Sequence, residues 1–210
     1  MNTDLENGNV VYVVDDDRSV RASLADLFSS VGLDALTFES VKEFVDHSLE
    51  TRPACLVLDV RMPGQSGIDF QQRMAGLGLR MPVIFITGHG DIAMGVKAIK
   101  DGAFEFLSKP FRDQELLDAV HQALERDQHR LQHDAEVEEL RSRMLSLSSG
   151  ERDVFELVVQ GQLNKQIAAK LDVKEVTVKV RRAHVMQKMQ ARSLADLVRM
   201  FDRLAHEPAV

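Results

Sequence analysis

The stretch Leu56-Val57-Leu58-Asp59-Val60-Arg61-Met62-Pro63-Gly64 decides the fold. The apolar run Cys55 to Leu58 reads as a strand buried on both faces; it delivers a carboxylate at its carboxyl end and is followed by a Pro-Gly turn. Packing seldom needs an acid there. In open parallel sheets the ligand crevice lies beyond the carboxyl ends of the strands, so Asp59 occupies a position where chemistry is done. A second run, Val10 to Val14, is β-branched and apolar and ends in Asp15-Asp16-Asp17. If the two strands are neighbours, those carboxylates lie beside Asp59.

Outward from this centre, residues 1 to 112 alternate strand-like and helix-like runs. Val20, Leu24, Leu27, Phe28 and Val31 have helix spacing, and Gly32 stands where a C-cap would stop the helix. Leu33 to Phe38 reads as a strand, and the Ser40/Glu43 capping box opens a short helix through Leu49. Past Asp59, Ile68 to Leu77 is helical, Val83 to Ile86 is a strand closed by Thr87, Ile92 to Lys100 is helical, and Phe104 to Leu107 is a fifth strand before Lys109-Pro110. Five such repeats predict an α/β fold, a doubly wound five-stranded parallel sheet with helices on both faces.

Composition sets the bounds. With 210 residues, 44% of them hydrophobic, the chain can build one large core or two small ones. A single cysteine, Cys55, lies in a core strand, which excludes a disulfide framework. No apolar run approaches the roughly 20 residues of a spanning helix, so a cytoplasmic protein is expected. The net charge of -7 is unevenly spread: residues 148 to 210 hold 11 Lys and Arg against 8 Asp and Glu, while residues 1 to 147 hold 15 against 25. An acidic front and a basic tail predict two domains, of which the second favours a polyanion.

Asp15, Asp16, Asp59, Thr87 and Lys109 all follow strands, so the fold gathers them at one edge. Clustered carboxylates repel one another unless a cation is present, and an oxygen-rich set favours Mg2+. With metal and Lys109 supplying positive charge, Asp59 can act as a nucleophile toward phosphorus while Thr87 hydrogen-bonds the product. Singly, each residue has a blander reading: Asp15 to Asp17 as helix caps, Asp59 as the start of a loop, Lys109-Pro110 as a turn. Jointly those readings require several coincidences at one sheet edge.

The set Asp15-Asp16, Asp59, Thr87-Gly88, Phe106 and Lys109-Pro110, in this order and spacing, resembles a response-regulator receiver domain over roughly residues 8 to 125. The resemblance implies that Asp59 accepts phosphate from a histidine kinase, and that Asp16, Asp59 and the carbonyl of Arg61 bind Mg2+ directly, with Asp15 acting through water. It further implies that Thr87 and Phe106 form a switch pair and that the Lys109-Pro110 bond is cis. Phosphorylation is then expected to drive dimerisation through the fourth helix and fifth strand, with Val96 and Lys100 on the contact face. Phosphatases of the haloacid dehalogenase type also use an aspartyl nucleophile, but their motif carries a second Asp where this chain has Arg61.

From Asp113 to Ser149 there is neither Gly nor Pro, and one helix is expected to run to about Arg143. Asp127, Asp134 and Glu138 interrupt its apolar stripe, which argues against a coiled coil and for a solvated connecting helix. His129 and His133 share a face of it without a third metal ligand, and a solvated face is the better reading.

In the tail, Ser148 and Glu151 make a capping box, a helix follows to Gly161, and Asn164 to Leu171 is short and amphipathic. After a turn at Asp172-Val173, Val176 to Met189 is helical, with five basic residues against one acid between Lys174 and Lys188. Two helices joined by a tight turn, the second basic, describe a helix-turn-helix. Leu147-Ser-Ser-Gly-Glu151, Gly161 to Ala168, and Val176-Thr-Val-Lys179 with Lys188-Met189 resemble a LuxR-type output domain, and its pairing with a receiver resembles the FixJ/NarL group of transcription regulators. Arg181 departs from the pattern, which usually has His there. On a helical wheel Val178, Val185 and Met189 face inward, whereas Val176, Lys179, Val180, Ala183, His184 and Gln187 face outward.

The sequence therefore predicts a receiver over residues 1–125, a helical linker over 126–146 and a helix-turn-helix DNA-binding domain over 147–210. The expected protein is a phosphorylation-controlled transcription regulator, not an enzyme in its own right. Its expected cofactor is Mg2+, and its expected partners are a histidine kinase, double-stranded DNA, RNA polymerase and a second copy of the chain, with no membrane. Lys179, Val180, Arg182, Ala183, His184 and Gln187 are the expected DNA contacts. The competing reading is a phosphorelay or interaction module whose helical tail binds protein.

Overall fold

The computed structural model describes residues 8–88 and 92–206. It divides into two compact units, one through Leu131 and the other from Gln132.

The first unit is built on strands β1 (Val10–Val14), β2 (Asp34–Phe38), β3 (Ala54–Asp59), β4 (Val83–Thr87) and β5 (Glu105–Ser108), all parallel, in the order β2-β1-β3-β4-β5. β3 is central and β1 and β4 flank it, so the expectation of carboxylates beside Asp59 holds. Alternate residues along each strand feed two separate cores, as the pleat dictates. Tyr12, Leu56, Leu58 and Phe85 meet Phe44 and Phe70 on one face. Val11, Val13, Val57 and Ile84 meet Phe28 and Leu124 on the other. The helices are α1 (Arg18–Ser30), α2 (Val41–Asp46), α3 (Gly67–Met74), α4 (Ile92–Lys100) and α5 (Asp113–Leu145). Gly32, at φ +76°, ends α1 as its position predicts.

Two boundaries differ from expectation. α2 stops at Asp46 rather than Leu49, because the chain must turn back into β3: the Tyr12 hydroxyl accepts the Glu50 N–H at 3.3 Å, and Arg52 pairs with Asp34 at 2.6 Å. β5 lies one residue later than predicted, in the register that pairs Phe85 with Phe106 and Thr87 with Ser108.

α5 is one continuous helix, but from Asp127 onward it is not solvated all round. Asp127, Val137 and Leu140 are buried, and Asp127 accepts the Ala54 N–H at 3.0 Å and Arg130 Nε at 2.8 Å. In the second unit Glu136 pairs with Arg203 at 3.0 Å. That unit adds α6 (Ser149–Val159), α7 (Asn164–Leu171), α8 (Glu175–Lys188) and α9 (Leu194–His206) around a core of Phe155, Ile167, Val178, Val185 and Leu197. The Ser148/Glu151 capping box is formed, and Asp172, at φ +51°, makes the turn between α7 and α8. No helix among the described residues is long and apolar enough to cross a membrane.

Candidate functional site

The carboxyl ends of β1, β3 and β4 and the segment after β5 converge on one pocket. Asp15 directly follows β1, Asp59 ends β3, Thr87 ends β4, and Lys109 follows β5 with its N–H on the Thr87 carbonyl at 2.7 Å. Oxygens of Asp15, Asp16 and Asp59 lie within 4.8 Å of one another. Asp15 and Asp59 are buried, Asp16 is exposed, and Thr87 is fully buried. The bond before Pro110 is cis. Lys109 Nζ lies 2.6 Å from Asp15 Oδ2 and 3.9 Å from Asp59 Oδ1.

The electrostatics of the pocket are unbalanced. Burial pushes the Asp59 carboxyl above its ordinary range; Lys109 opposes this, while the charges of Asp15 and Asp16 add to it. Three carboxylates facing one lysine leave excess negative charge, and a hard dication of the Mg2+ type fits that donor set. Asp17 behaves differently. It caps α1, accepting the N–H groups of Ser19 at 2.7 Å and Val20 at 3.4 Å, and these bonds hold its carboxyl below the usual range. Of the three consecutive acids, only this one takes the capping role.

Beyond Asp59, Arg61 pairs with Ser66 and Met62 with Gln65 in a two-residue ribbon that turns at Gly64, φ +78°. Gly67 then starts α3 directly beneath Asp59: a Cβ on it would overlap the Asp59 carbonyl oxygen. Phe106 is half-buried in β5, with its ring 6.4 Å from that of Phe85 and close against Gly95 of α4. Val96 and Lys100 are exposed on α4.

In the second unit, Val178, Val185 and Met189 are fully buried, while Lys179, Val180, Ala183, His184 and Gln187 are exposed, as the wheel predicts. Two expected contacts are engaged within the protein. Arg182 donates to Asn164 Oδ1 at 3.1 Å, and His184 Nδ1 lies 3.2 Å from Glu151 Oε1. Lys188 is committed too, to Glu151 Oε2 at 2.6 Å and the Ser146 carbonyl at 3.1 Å.

Residues 11–121 match the response regulator receiver domain family, and residues 145–201 match the bacterial regulatory proteins of the luxR family. The chain belongs to the response regulators with a LuxR-type output domain. Nodulation protein W of Bradyrhizobium diazoefficiens is 52% identical to it over 202 residues, covering 96% of this chain and 89% of that protein. The transcriptional regulatory protein FixJ of the same organism is 40% identical over 190 residues, 90% of this chain and 93% of its own. The solved structure of the response regulator StyR superposes with a TM-score of 0.82 at 45% identity, covering 93% of this chain and 99% of that one. The first unit is thus a receiver, the second a LuxR-type DNA-binding domain, and the chain a transcription regulator of a two-component system.

Several residues that shape this regulator escape a reading of the sequence. Gly67 is one, although a glycine opening a helix just after a reactive aspartate is a visible signal. Glu151 is another: its capping role is legible, but its pairing with Lys188 depends on α8 packing across α6. The helix α9 carries a legible start, with Ser193 Oγ accepting the Asp196 N–H and Asp196 accepting the Arg192 N–H, each at 3.1 Å. His129 and His133 are exposed, and the acidic trio is the one metal-type cluster among the described residues.

Proposed function

We propose that Asp59 is the phosphoacceptor and that phosphorylation by a histidine kinase converts this chain into a DNA-binding dimer. The observation that carries the reading is the pocket itself: Asp59 ends the central strand, with the carboxylate oxygens of Asp15 and Asp16 within 4.8 Å and Lys109 Nζ at 3.9 Å. Asp16, Asp59 and the Arg61 carbonyl would hold Mg2+, with Asp15 acting through water. Bound there, the metal supplies charge that keeps Asp59 ionised and offsets the negative charge of the incoming phosphoryl group. Asp59 Oδ attacks phosphorus, the donor's leaving group departs on the opposite side, and Lys109 Nζ moves from Asp15 toward the new phosphoryl oxygens. The Thr87 hydroxyl then hydrogen-bonds the phosphoryl group, and the Phe106 ring follows into the space Thr87 leaves.

That shift is read on the surface beside it. Val96 and Lys100 on α4, with β5, form the dimer face, and an exposed apolar Val96 beside exposed Ile99 supports an interface there. In the output domain Lys179, Val180, Ala183 and Gln187 face the major groove, with Lys179 the base-edge candidate and Ala183 offering apolar contact to a thymine methyl. Arg182 and His184 reach DNA only by giving up or sharing their bonds to Asn164 and Glu151. RNA polymerase is the further partner, and the cytoplasm the expected location.

The test is DNA binding by the full chain, with and without acetyl phosphate and Mg2+, in the wild type and Asp59→Asn. The reading expects phosphodonor to tighten binding and to shift the sedimentation coefficient of the wild type alone. Equal responses in both proteins would contradict it. A tail that binds protein instead would show no salt-dependent affinity for duplex DNA.

A further inference from the structure

The five basic residues between Lys174 and Lys188 are not equivalent. Arg182 is spent on Asn164 and Lys188 on Glu151 and Ser146. The side chains of Lys174, Lys179 and Arg181 make no hydrogen bond or ion pair among the described residues. The two lysines are exposed on flexible stems, whereas Arg181 is half-buried.

It packs against the first turn of α6. A Cβ built on Gly150 would lie 2.6 Å from Arg181 Cζ and 2.7 Å from its nearer terminal nitrogen, so the guanidinium lies flat against a backbone that only a glycine exposes. The one acid lining the same cleft is already satisfied. Glu151 takes the Lys188 ammonium at 2.6 Å, the Ser148 N–H at 2.9 Å and His184 at 3.2 Å, and makes no ion pair with Arg181. The guanidinium therefore keeps its donors for a group outside the chain.

The position selects that group. Arg181 lies on the flank of α8 that faces α6, in a cleft of about 440 Å3 lined also by Thr177, Val180 and His184. Lys179, Val180 and Ala183 occupy the outward face. A helix that inserts its outward face into a major groove brings its flanks against the walls of the groove, which are phosphodiester backbone. A planar, permanently charged fork matches phosphate oxygens in geometry as well as charge.

We propose that Arg181 is a DNA-phosphate clamp: the bare backbone at Gly150 leaves room for its guanidinium beside α6, and it fixes the seating of α8 in the groove without reading sequence. The proposal rests on the output domain binding duplex DNA, and specifies how.

The test uses the full chain, treated with acetyl phosphate and Mg2+, titrated into a short mixed-sequence duplex over a series of salt concentrations by fluorescence anisotropy. A phosphate contact contributes about 0.9 to the slope of log affinity against log salt. Arg181→Gln is expected to lower the slope by about that amount and to weaken binding several-fold at low salt, with Arg181→Lys keeping the slope. Gly150→Ala leaves the net charge unchanged but displaces the guanidinium, so it should weaken binding in the wild type and add little on top of Arg181→Gln. An unchanged slope in Arg181→Gln, while the wild type shows a steep one, overturns the clamp and leaves the DNA reading standing. A slope unchanged but with altered preference among selected duplexes assigns Arg181 to a base instead and also overturns it. No binding by the wild type defeats the DNA reading and the clamp together.

Discussion

Asp127 offers the sharpest test of how the receiver is held together. It sits in α5 with 1% of its surface exposed, accepting the N–H of Ala54, the first residue of β3, at 3.0 Å and Arg130 Nε at 2.8 Å. Asp127→Ala removes the acceptor of a buried backbone donor, a loss of about 1–3 kcal/mol. It also removes an ion pair whose arginine is 27% exposed, worth about 0.5–1 kcal/mol after screening by solvent. The expected total is about 3 kcal/mol. Asp127→Asn keeps a carbonyl acceptor and should cost about 1 kcal/mol. The chain contains one tyrosine and no tryptophan, and Tyr12 is fully buried in the receiver, so tyrosine fluorescence during urea unfolding reports this domain alone. With a slope of about 1–3 kcal/mol per molar urea, the Asp127→Ala midpoint should fall by about 1–3 M. A midpoint equivalent to wild type within about 0.5 kcal/mol would show that the Ala54 N–H finds another partner and that the contact does not secure β3.

Gly67→Ala should destabilise the receiver by about 1–3 kcal/mol and slow phosphorylation, because the new Cβ must displace the Asp59 carbonyl; wild-type rates of phosphoryl uptake would refute the role assigned to that glycine. In the output domain the Lys188 ammonium first, and then the Ser148 N–H, hold the Glu151 carboxyl down to about 2 against an ordinary 4.5. Since a lowered carboxylate pKa stabilises the fold above the unfolded value, this contribution is complete at neutral pH and is lost as pH falls from about 4.5 toward 2. Glu151→Gln should weaken the output domain by about 1.5–3 kcal/mol at pH 7 and flatten that acid limb in a circular-dichroism titration, whereas an unchanged acid limb would assign it to other groups. On α4, Val96→Glu should reduce phosphorylation-dependent dimer formation in sedimentation while leaving phosphoryl uptake intact, the link between pocket and face being of order 1 to 3 kcal/mol. Dimer formation by that variant equal to wild type would remove Val96 from the interface.

The strands and the pocket were legible for a common physical reason. A strand buried on both faces must be apolar throughout, so the acids that follow Val14 and Leu58 stand out against it, and parallel topology brings them to one edge. The inward and outward faces of α8 follow in the same way from helical periodicity. What the sequence conceals depends on partners remote along the chain. Asp127 reads as a break in an apolar stripe until the Ala54 N–H, 73 residues away, is seen to need it. Lys188 reads only as one of five basic residues until α6 places Glu151 against it. Arg181 reads as a departure from the family pattern, and its packing becomes visible only when α8 lies across Gly150. The end of α2 was misplaced because the Tyr12 hydroxyl and Asp34, both outside the local pattern, draw the chain back toward β3.

The central claim is that one carboxylate, at the end of the central strand, takes the phosphoryl group. It is tested most directly by treating the full chain with acetyl phosphate and Mg2+, then mapping the modified peptide by mass spectrometry. The pocket predicts a single phosphoryl group per chain, on Asp59, with none on Asp59→Asn and none when the metal is chelated. Stoichiometric modification of Asp59→Asn, or of Asp15 or Asp16 in the wild type, would contradict it.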